Sequence, residues 1–553
     1  MPHLLTFAVV SLFFSVSSAR YNLIHELNFD SCFSFHSKES STNVSTILLD
    51  THSPSFSSVF ESSIQNLRFN STNQKLLYII TPYLYEHVQA AIICSKIHRL
   101  QVRIRSGGQY YEALSYKADV PFICCAEASN MKPINYNGVF WLVVHLVTNP
   151  TSSYLVKLNK VKVNRGKRTA WVQSGATLGE LYYHVANESR GKLGFTAGVC
   201  PTIGVGGHIS GGGQGVLMRK FGLSSDNAVD AIVVTADGAV VDRQSMGEDL
   251  FWAIRGGGAA SFGVVLEWKI KLAPVPPKVT VFTIPRTLEQ KATKLVHRWQ
   301  AIAPKFHKDL FIRVILFVGK GSQGGKTIQA NFNALFLGTT DQLVPLMQKS
   351  FPELGLKPED CKEISWIQSI FYINGEDPGQ PLELLLDRNH VQKGFFKAKS
   401  DFVTKPISEK HLEAIWKVMQ DGDAPGIMIW DPYGGQMAEI PEDFTPFPHR
   451  AGVLYNIQYV IKWFEGGALA EKKHLEGINR VYNFMAPFVT KNPRAAYINY
   501  RDLDIGRNIK GTLEEAKVWG EKYFKRNFER LAKIKGEVDY ENFFKSEQNF
   551  VPI

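Results

Sequence analysis

The sequence predicts an α+β fold in two halves, and three observations support this prediction. A strand-helix-strand pattern runs from Leu76 to Arg105, and three glycine clusters each lie beside a predicted strand in the first half. Longer helices with alternating strands follow a proline-rich boundary at residues 273–277. The chain has 553 residues, of which 44% are apolar and 20% charged, so a disordered or fibrous chain is excluded.

The N-terminal segment is typical of a secretory signal peptide. Residues 4–16 (LLTFAVVSLFFSV) are almost wholly apolar, and the small residues at 17–19 suit cleavage by signal peptidase. This run is too short to span a bilayer, and a buried N-terminal helix is the alternative. We therefore expect a signal peptide at residues 1–19. The mature protein is expected to be secreted, in the extracellular space or the cell wall, or directed to the vacuole through the secretory pathway.

Glycosylation signals, cysteines and charge agree with export. Sequons begin at Asn43, Asn70 and Asn187. The six cysteines include no Cys-x-x-Cys pair, so we expect no metal site; the sequence alone does not say which of them pair in an oxidising compartment. The net charge of +11 fits association with acidic cell-wall polysaccharide, and an ordinary solvated surface explains it equally well. No dense Lys/Arg run indicates nucleic acid.

The first predicted elements form the strand-helix-strand unit. Leu76 to Ile80 is expected to be a strand, and Thr81 and Pro82 suit the N-cap and first position of a helix through Cys94. Gln101 to Arg105 is the next strand. From about Cys125 to Val156 the periodicity dissolves, and either a genuine insertion or a wrongly joined coding segment explains this.

Later elements follow from caps, turns and alternation. Ala170 to Gln173 is a predicted strand, and Thr177 to Glu180 is a capping box that opens a helix. Asp237-Gly238 between two valine-rich runs predicts a hairpin turn. Past the boundary, Phe311 to Val318 and Thr327 to Leu337 are predicted strands.

The glycine clusters predict a dinucleotide site. They are Arg105–Gly108, Gly204–Gly213 and Arg255–Gly258. Successive N–H groups of glycine-rich backbone can close around a pyrophosphate, although a single cluster would be an ordinary turn. A G-x-G-x-x-G match at Gly319–Gly324 precedes a strand-like run instead of a helix, so we interpret it as a hairpin loop.

Five motifs together resemble the plant berberine bridge enzyme-like family, FAD-linked oxidoreductases of the vanillyl-alcohol oxidase superfamily. They are residues 103–112 (RIRSGGQYYE), 198–213 (GVCPTIGVGGHISGGG), 245–258 (SMGEDLFWAIRGGG), 446–450 (PFPHR) and 499–504 (NYRDLD). The resemblance implies a PCMH-type FAD-binding domain at residues 20–275, with an atypical insertion at 125–156. It also implies a substrate domain at 276–480, with an antiparallel sheet covered by helices, and a C-terminal return at 481–553.

The resemblance also implies an activity and partners. Members are secreted glycoproteins that oxidise alcohols, carbohydrates, monolignols or alkaloid-type molecules by hydride transfer to flavin. We therefore expect a small-molecule substrate, no nucleic acid or membrane partner, and a monomer. By the same match, Cys32 and Cys94 form a disulfide.

The implied FAD contacts include one change from the family pattern. Cys200 matches the cysteine that bonds the flavin ring, whereas Gln109 replaces the histidine that forms the second family tether. A neutral amide is a poor nucleophile, so we predict a single covalent link or a non-covalent flavin. The implied cofactor-binding residues are Cys200, Arg105, Ser106, Gly107, Gly108, Gln109, Gly204, Gly206, Gly207, His208, Gly211, Gly212, Gly213 and Asn499.

The implied catalytic residues are Tyr500, Gln458, Tyr111, Tyr497 and Gln214. Some relatives have a glutamate base at the Gln458 position, but glutamine cannot act as a base. Tyr500 is therefore the better candidate, with Lys462 as a possible helper. Alternation along the strand 453–459 puts Gln458 and Lys462 on one face and Tyr455, Ile457 and Tyr459 on the other.

Two further features concern turnover. Ile203 matches a position that gates oxygen in the family, where valine accompanies oxidases, so we predict dehydrogenase-like behaviour. Gln109, Gln214 and the irregular segment 125–156 favour an alternative, a degenerate member that binds flavin or ligand with little or no turnover.

Overall fold

The computed structural model describes residues 28–70, 75–118, 122–125, 158–322, 324–388 and 393–553. The predicted signal peptide and residues 126–156 of the predicted insertion lie outside these ranges. Within them, no helix combines the length and the apolar character needed to cross a membrane.

A small sheet with parallel strands forms the N-terminal region. Its strands are β1 (Leu48–Asp50), β2 (Leu76–Ile80), β3 (Gln101–Ile104) and β4 (Phe122–Cys125), in the order β1-β2-β4-β3. The helices here are α1 (Phe29–Ser37), α2 (Ser41–Ile47), α3 (Phe56–Ser63) and α4 (Tyr85–Ile97). The predicted strand-helix-strand unit is present as β2-α4-β3, but β4 lies between its two strands and pairs with both in parallel.

The predicted start of α4 is wrong. The helix begins at Tyr85, with Leu84 as its N-cap. Thr81 instead extends the pairing of β2, because its N–H donates to the Ile47 carbonyl at 2.8 Å and its hydroxyl reaches the same oxygen at 3.2 Å. The disulfide implied by the family resemblance is confirmed: Cys32 on α1 and Cys94 on α4 are bonded, with Cα atoms 5.9 Å apart.

An antiparallel sheet follows in the order β5-β6-β10-β8-β9. Its strands are β5 (Val161–Asn164), β6 (Thr169–Gln173), β8 (Ala228–Val234), β9 (Val240–Val241) and β10 (Val264–Lys271), while β7 (Leu193–Gly194) pairs with β11 (Ala273–Pro274). The helices are α5 (Leu178–Ser189), α6 (Val205–Ser210), α7 (Met218–Phe221) and α8 (Arg243–Ile254). The capping box of Thr177 and Glu180 and the turn at Gly238, with φ of 83°, are confirmed.

The second half is built on a larger antiparallel sheet in the order β15-β12-β14-β13-β17-β18-β16. Its strands are β12 (Val279–Thr287), β13 (Leu310–Lys320), β14 (Lys326–Phe336), β15 (Lys362–Ile364), β16 (Phe395–Val403), β17 (Ile427–Pro432) and β18 (Tyr455–Trp463). Its helices are α9 (Ala292–Ile302), α10 (Thr340–Ser350), α11 (Trp366–Asn374), α12 (Glu409–Asp421), α13 (Gln436–Glu439) and α14 (Ala468–Phe484).

This sheet confirms the predicted α+β class. β13 and β14 pair from Leu310–Phe336 to Lys320–Lys326, so the glycine motif at 319–324 is the expected hairpin loop. One face of the sheet packs on α9 and α12 in an apolar core that includes Trp299, Trp416 and Trp430. The opposite face is available to a ligand.

The C-terminal helices pack against the first half of the chain. They are α15 (Leu513–Phe524) and α16 (Asn527–Val538). Trp519, Phe528 and Leu531 share one core with Trp252 and Phe262, because their side chains fill the space beside α8 and β10. The chain between β18 and α15 therefore crosses the molecule and carries residues 497–504 to the junction of the sheets.

Candidate functional site

A cavity of about 760 Å³ lies between the antiparallel sheet of the first half and the large sheet of the second half. Its lining includes Thr81 and Val88 from the N-terminal region and Asn331 and Lys462 from the large sheet. This volume is in the range of cofactor and substrate pockets, and the position between two sheets is typical of such sites.

Two glycine loops form one wall and touch each other through their backbones. A Cβ at Gly107 would lie 2.4 Å from the Gly204 nitrogen, and a Cβ at Gly204 would lie 2.1 Å from the Gly107 nitrogen. By contrast, a Cβ at Gly207 would meet no atom within 4 Å, so this position is open to the cavity that it lines. Closely packed, side-chain-free backbone of this kind suits a pyrophosphate, and the wall therefore fits a dinucleotide such as FAD.

The remaining predicted residues of the first loop also line the cavity: Arg105, Ser106, Gly108 and Gln109. Gln109 donates from Nε2 to the Thr202 hydroxyl at 3.3 Å. Gly206 lines the wall as well, and its α-carbon faces Ser174, where a Cβ would come within 2.9 Å of the serine side chain.

The triple glycine at 211–213 lies behind the wall and holds the C-terminal segment. An added Cβ at Gly211 would overlap the Asn499 side chain, whose Nδ2 donates to the His208 carbonyl at 3.0 Å. The Gly213 N–H donates to the Tyr497 hydroxyl at 2.9 Å, and Gly212 packs near Phe447. Asn499 itself lines the cavity, so these glycines place it there.

The third predicted glycine cluster serves the fold. The N–H groups of Gly256 and Gly258 both donate to the Ser210 carbonyl, at 2.9 and 2.8 Å. These N–H groups are therefore bonded within the protein and are not available to a ligand. In this segment, the first residue that lines the cavity is Ala259, directly after the cluster.

His208 is buried and neutral. It accepts a hydrogen bond at Nε2 from the Gly198 N–H at 3.1 Å, and burial lowers its pKa to about 4. With Nε2 held by the backbone, His208 is fixed as part of the wall.

Cys200 lines the cavity, and its side chain is exposed there. Its Sγ donates weakly to Asn374 Oδ1 at 3.5 Å. Burial raises the pKa of the thiol, and the Arg313 guanidinium opposes this rise. Ile203 lines the cavity on the same loop.

Three tyrosines meet in the middle of the cavity. The Tyr111 and Tyr500 ring centroids are 6.2 Å apart, those of Tyr497 and Tyr500 are 4.9 Å apart, and both pairs meet edge to face. Gln458 donates from Nε2 to the Tyr111 hydroxyl at 2.8 Å. Gln214 lines the same region and donates to the Tyr433 hydroxyl at 2.7 Å.

Burial raises the pKa of Tyr500 well above 10, and the Asp431 carboxylate adds to this rise. Tyr500 is therefore a phenol and not a phenolate in this cavity. The predicted helper, Lys462, also lines the cavity; its ammonium lies 5.2 Å from the Phe464 ring centroid, and burial lowers its pKa.

The predicted alternation along β18 is confirmed. Gln458 and Lys462 line the cavity, whereas Tyr455, Ile457 and Tyr459 lie in the apolar core on the other face.

A row of polar side chains across the large sheet was missed by the sequence analysis. Asn333 on β14 lies opposite Thr283 on β12 and Arg313 on β13. Arg313 donates a hydrogen bond to Asn333 Oδ1 at 2.9 Å, and Asn333 donates one to the Thr283 hydroxyl at 2.9 Å. Asn331 lines the cavity from the neighbouring row. Asp431 follows Trp430, which pairs with Val314, and so continues the row of Arg313 onto β17. The signal was a polar residue inside an otherwise apolar strand, as at Arg313 in LFIRVILFV.

Asp431 is the carboxylate in this lining. It lies near the end of β17, opposite Asn456 of β18. Burial raises its pKa, and Arg313 opposes that rise. A carboxylate with a raised pKa in a cavity is a common feature of catalytic sites.

The predicted glycosylation residues Asn43, Asn70 and Asn187 are all exposed on the surface. Asn43 donates to Glu39 at 3.0 Å. Exposure is required for glycosylation, which remains a prediction for these residues.

Comparisons with known proteins agree with this site. The family models "Berberine and berberine like" and "FAD binding domain" match residues 496–550 and 145–243. Tetrahydroberberine oxidase of Argemone mexicana is 46% identical, covering 100% of this chain and 96% of the relative. The solved structure of Phl p 4, a grass pollen allergen with glucose dehydrogenase activity, has a TM-score of 0.83 at 43% identity, covering 95% and 100% of the two chains. The berberine bridge enzyme of Eschscholzia californica has a TM-score of 0.82 at 36% identity, covering 95% and 99%.

The cavity, its glycine wall and these relatives define an FAD-linked oxidoreductase. The chain belongs to the berberine bridge enzyme-like family.

Proposed function

We propose that the protein is a secreted dehydrogenase that oxidises a hydroxyl group of a carbohydrate or a similarly polar alcohol. The observation that carries this proposal is the polar row of the large sheet, which faces the cavity together with Asp431 and Tyr500. Polar groups that line a cavity favour ligands that can hydrogen-bond to them. Relatives act on different substrates, since they include a monolignol oxidoreductase as well as the glucose dehydrogenase Phl p 4.

FAD would be held by the glycine wall, with Cys200 as the covalent anchor. Bound there, the flavin supplies a hydride acceptor. Cys200 suits this role because its thiol faces the cavity, whereas Gln109 offers only an amide that is directed to Thr202. We therefore propose one cysteinyl link and none at residue 109. Detection of flavin on the peptide that contains Gln109 by mass spectrometry would contradict this.

The substrate proton would pass through Tyr500. Because Tyr500 is protonated in the cavity, it can accept the proton of the substrate hydroxyl only as it gives up its own. The Asp431 carboxylate lines the same cavity and is the proposed acceptor for the phenol proton. In this mechanism Asp431, and not the predicted helper Lys462, assists Tyr500.

Tyr111 would orient the substrate. Its oxygen already accepts a hydrogen bond from Gln458, so its own hydrogen is free to point toward a ligand. Gln458 would therefore position Tyr111. It would not act as a base, unlike the glutamate that some relatives have at this position.

Ile203 supports the dehydrogenase assignment. It lines the cavity three residues after Cys200. Wild-type Phl p 4.0202 is a glucose dehydrogenase, and a Phl p 4 variant with one isoleucine-to-valine substitution is a glucose oxidase. We propose that the extra methylene of Ile203 restricts oxygen in the same manner.

A substrate panel tests the proposal. Purified protein would be mixed with glucose and cello-oligosaccharides, with monolignols and with a tetrahydroprotoberberine alkaloid, and reduction of an artificial electron acceptor would be followed. We expect the sugars to give the highest kcat/KM. Turnover of a monolignol or the alkaloid alone would reject the substrate class. Absence of turnover with a bound flavin would favour the degenerate member, which Gln109 and Gln214 suggest.

A further inference from the structure

Two buried lysines lie side by side on β16, the edge strand of the large sheet. Lys397 and Lys399 are each only 2% exposed. Both point away from the cavity, because Phe396 and Ser400 take the alternate positions of the strand. Buried lysines are rare unless they are paired, so their partners show what they do.

The partners come from two distant segments of the chain. Lys397 Nζ contacts Glu112 Oε1, and it lies 2.7 Å from Asp502 Oδ1 and 3.1 Å from Asp504 Oδ2. Lys399 Nζ lies 2.8 Å from Asp502 Oδ2 and 2.5 Å from Asp504 Oδ2. Asp502 therefore bridges the two ammonium groups with its two oxygens.

Each of these segments carries a cavity tyrosine. Glu112 directly follows Tyr111, and Asp502 is two residues after Tyr500. The two tyrosine side chains are 389 positions apart in the sequence but 6.2 Å apart between ring centroids. The lysine pair therefore joins the two segments through carboxylates one and two residues after these tyrosines.

The other face of β16 touches the same two segments, at Tyr111 and Tyr497. The Phe396 ring meets the Tyr111 ring edge to face at 5.5 Å, and Ser400 Oγ accepts a hydrogen bond from the Tyr497 N–H at 2.8 Å. One strand thus contacts both segments that carry the three tyrosines, by ring and hydroxyl contacts on one face and by ion pairs on the other.

A purely structural role explains this arrangement poorly. Well-packed apolar residues commonly stabilise an interface as well as buried ion pairs do, because desolvation offsets the attraction between the charges. Ion pairs with directional hydrogen bonds also fix the relative positions of the groups that they join. Asp502 is held in one position because each of its oxygens binds a different ammonium group. We propose that Lys397 and Lys399 are positioning residues that set the relative placement of Tyr111 and Tyr500. This rests on the proposed function of Tyr500 in proton transfer.

Lys397→Met tests the proposal, with Lys535→Met as the matched control. Lys535 is also fully buried and paired with a carboxylate, at 2.5 Å from Asp539 Oδ2, but this partner belongs to neither tyrosine segment. We expect Lys397→Met to lower kcat roughly tenfold or more with KM nearly unchanged, because misplacement of a catalytic group slows the reaction without weakening binding. The control should lose stability and keep its kcat.

A double-mutant cycle separates positioning from general damage. In a Tyr500→Phe background, Lys397→Met should cost less than about twofold more, because the residue through which it acts is already disabled. A full tenfold loss in both backgrounds would overturn the proposal. If Tyr500→Phe alone has wild-type activity, the proposed function of Tyr500 fails instead.

A crystal structure of the variant holoenzyme tests the same point without activity. The proposal expects the Tyr111–Tyr500 separation to change by roughly 1 Å or more in Lys397→Met and to stay the same in Lys535→Met. An unchanged separation would overturn it. Should Lys397→Met fail to fold, Asp502→Asn keeps the side-chain shape and removes the bridging charge, and the same measurements apply.

Discussion

At the scale of single residues, the proposed proton transfer depends on Tyr500 and Asp431, which line the same cavity. Both groups have raised pKa values because they are buried, and the negative charge of Asp431 raises that of Tyr500 further. A phenol is a weak acid and a weak base at neutral pH, so it needs a partner that accepts its proton. In the proposed mechanism, Asp431, which lines the same cavity, is that partner.

The pH dependence of kcat/KM follows from this pairing. Asp431 must be ionised to accept a proton, so the rate should fall as the pH drops through its pKa; because burial raises that pKa, the fall should lie above the usual range of an aspartate. Asp431→Asn should lower the rate roughly 100-fold or more and abolish the acid limb. An unaltered acid limb in this variant would assign it to another group.

Ile203 offers a second test at this scale. Ile203→Val removes one methylene from the cavity lining near Cys200, and peroxide formation in air should rise roughly tenfold, which corresponds to about 1.4 kcal/mol of barrier. Reduction of the flavin by substrate should be unchanged, because the residue does not carry a proton. Ile209→Val, in the buried core, is the control. Equal peroxide formation by wild type and Ile203→Val would contradict the proposal that Ile203 restricts oxygen.

Some residues of the site could be predicted from the sequence, and others could not. Tyr111, Tyr500 and Gln458 were predicted to be in the active site, and the structure places them in one cavity. Arg313, Asn333 and Asp431 were missed, because a polar residue in a strand is a functional signal only once the neighbouring strands are known. Their meaning depends on register across β12, β14, β13 and β17.

At the scale of elements, the glycine loops shape the cavity by the absence of side chains. The positions differ in what an added side chain would meet: at Gly107 it would collide with backbone, whereas at Gly207 it would enter open space in the cavity. The first glycine is thus required for loop packing and the second for ligand space.

Gly207→Leu tests this difference. The side chain should occupy cofactor space, so the protein should fold, as judged by circular dichroism, and contain little flavin by absorbance. Gly166→Leu is the control, since its α-carbon lies in the turn between β5 and β6, where the nearest atom to an added Cβ is 3.7 Å away. Full flavin content in Gly207→Leu would show that FAD does not use this wall.

Elements with local signals were predicted well. The capping box at Thr177 and Glu180, the turn at Gly238 and the hairpin at 319–324 each depend on a few adjacent residues. The helix after β2 was placed three residues too early, because Thr81 has a long-range partner in Ile47 that overrides its capping preference. The same limit applies to β4, whose place between β2 and β3 is set by pairing alone.

At the scale of the whole molecule, buried polar contacts join the two halves of the chain. Arg219 on α7 is completely buried and donates to four carbonyls of the second half: Ala303, Phe306, Leu310 and Tyr433. No carboxylate is among these four partners, so the guanidinium is held by backbone dipoles. This contact fixes α7 against the large sheet.

Arg219→Met should therefore be strongly destabilising. It leaves four buried carbonyls without their donor, and we expect a loss of about 3–5 kcal/mol in the free energy of unfolding. Lys220→Met, at the next position, removes a partly exposed pair with Asp309 and should cost less than about 1 kcal/mol. Denaturant unfolding of both variants measures the difference, and similar losses would show that Arg219 does not join the halves.

The most direct test of the whole account is anaerobic reduction of the bound flavin by a sugar, followed by stopped-flow absorbance in wild type and Tyr500→Phe. We expect the sugar to bleach the wild-type flavin and Tyr500→Phe to slow this by roughly 100-fold or more, with substrate binding little changed. Bleaching at the wild-type rate in Tyr500→Phe would contradict the proposed chemistry. A wild-type flavin that no sugar reduces would contradict the proposed substrate.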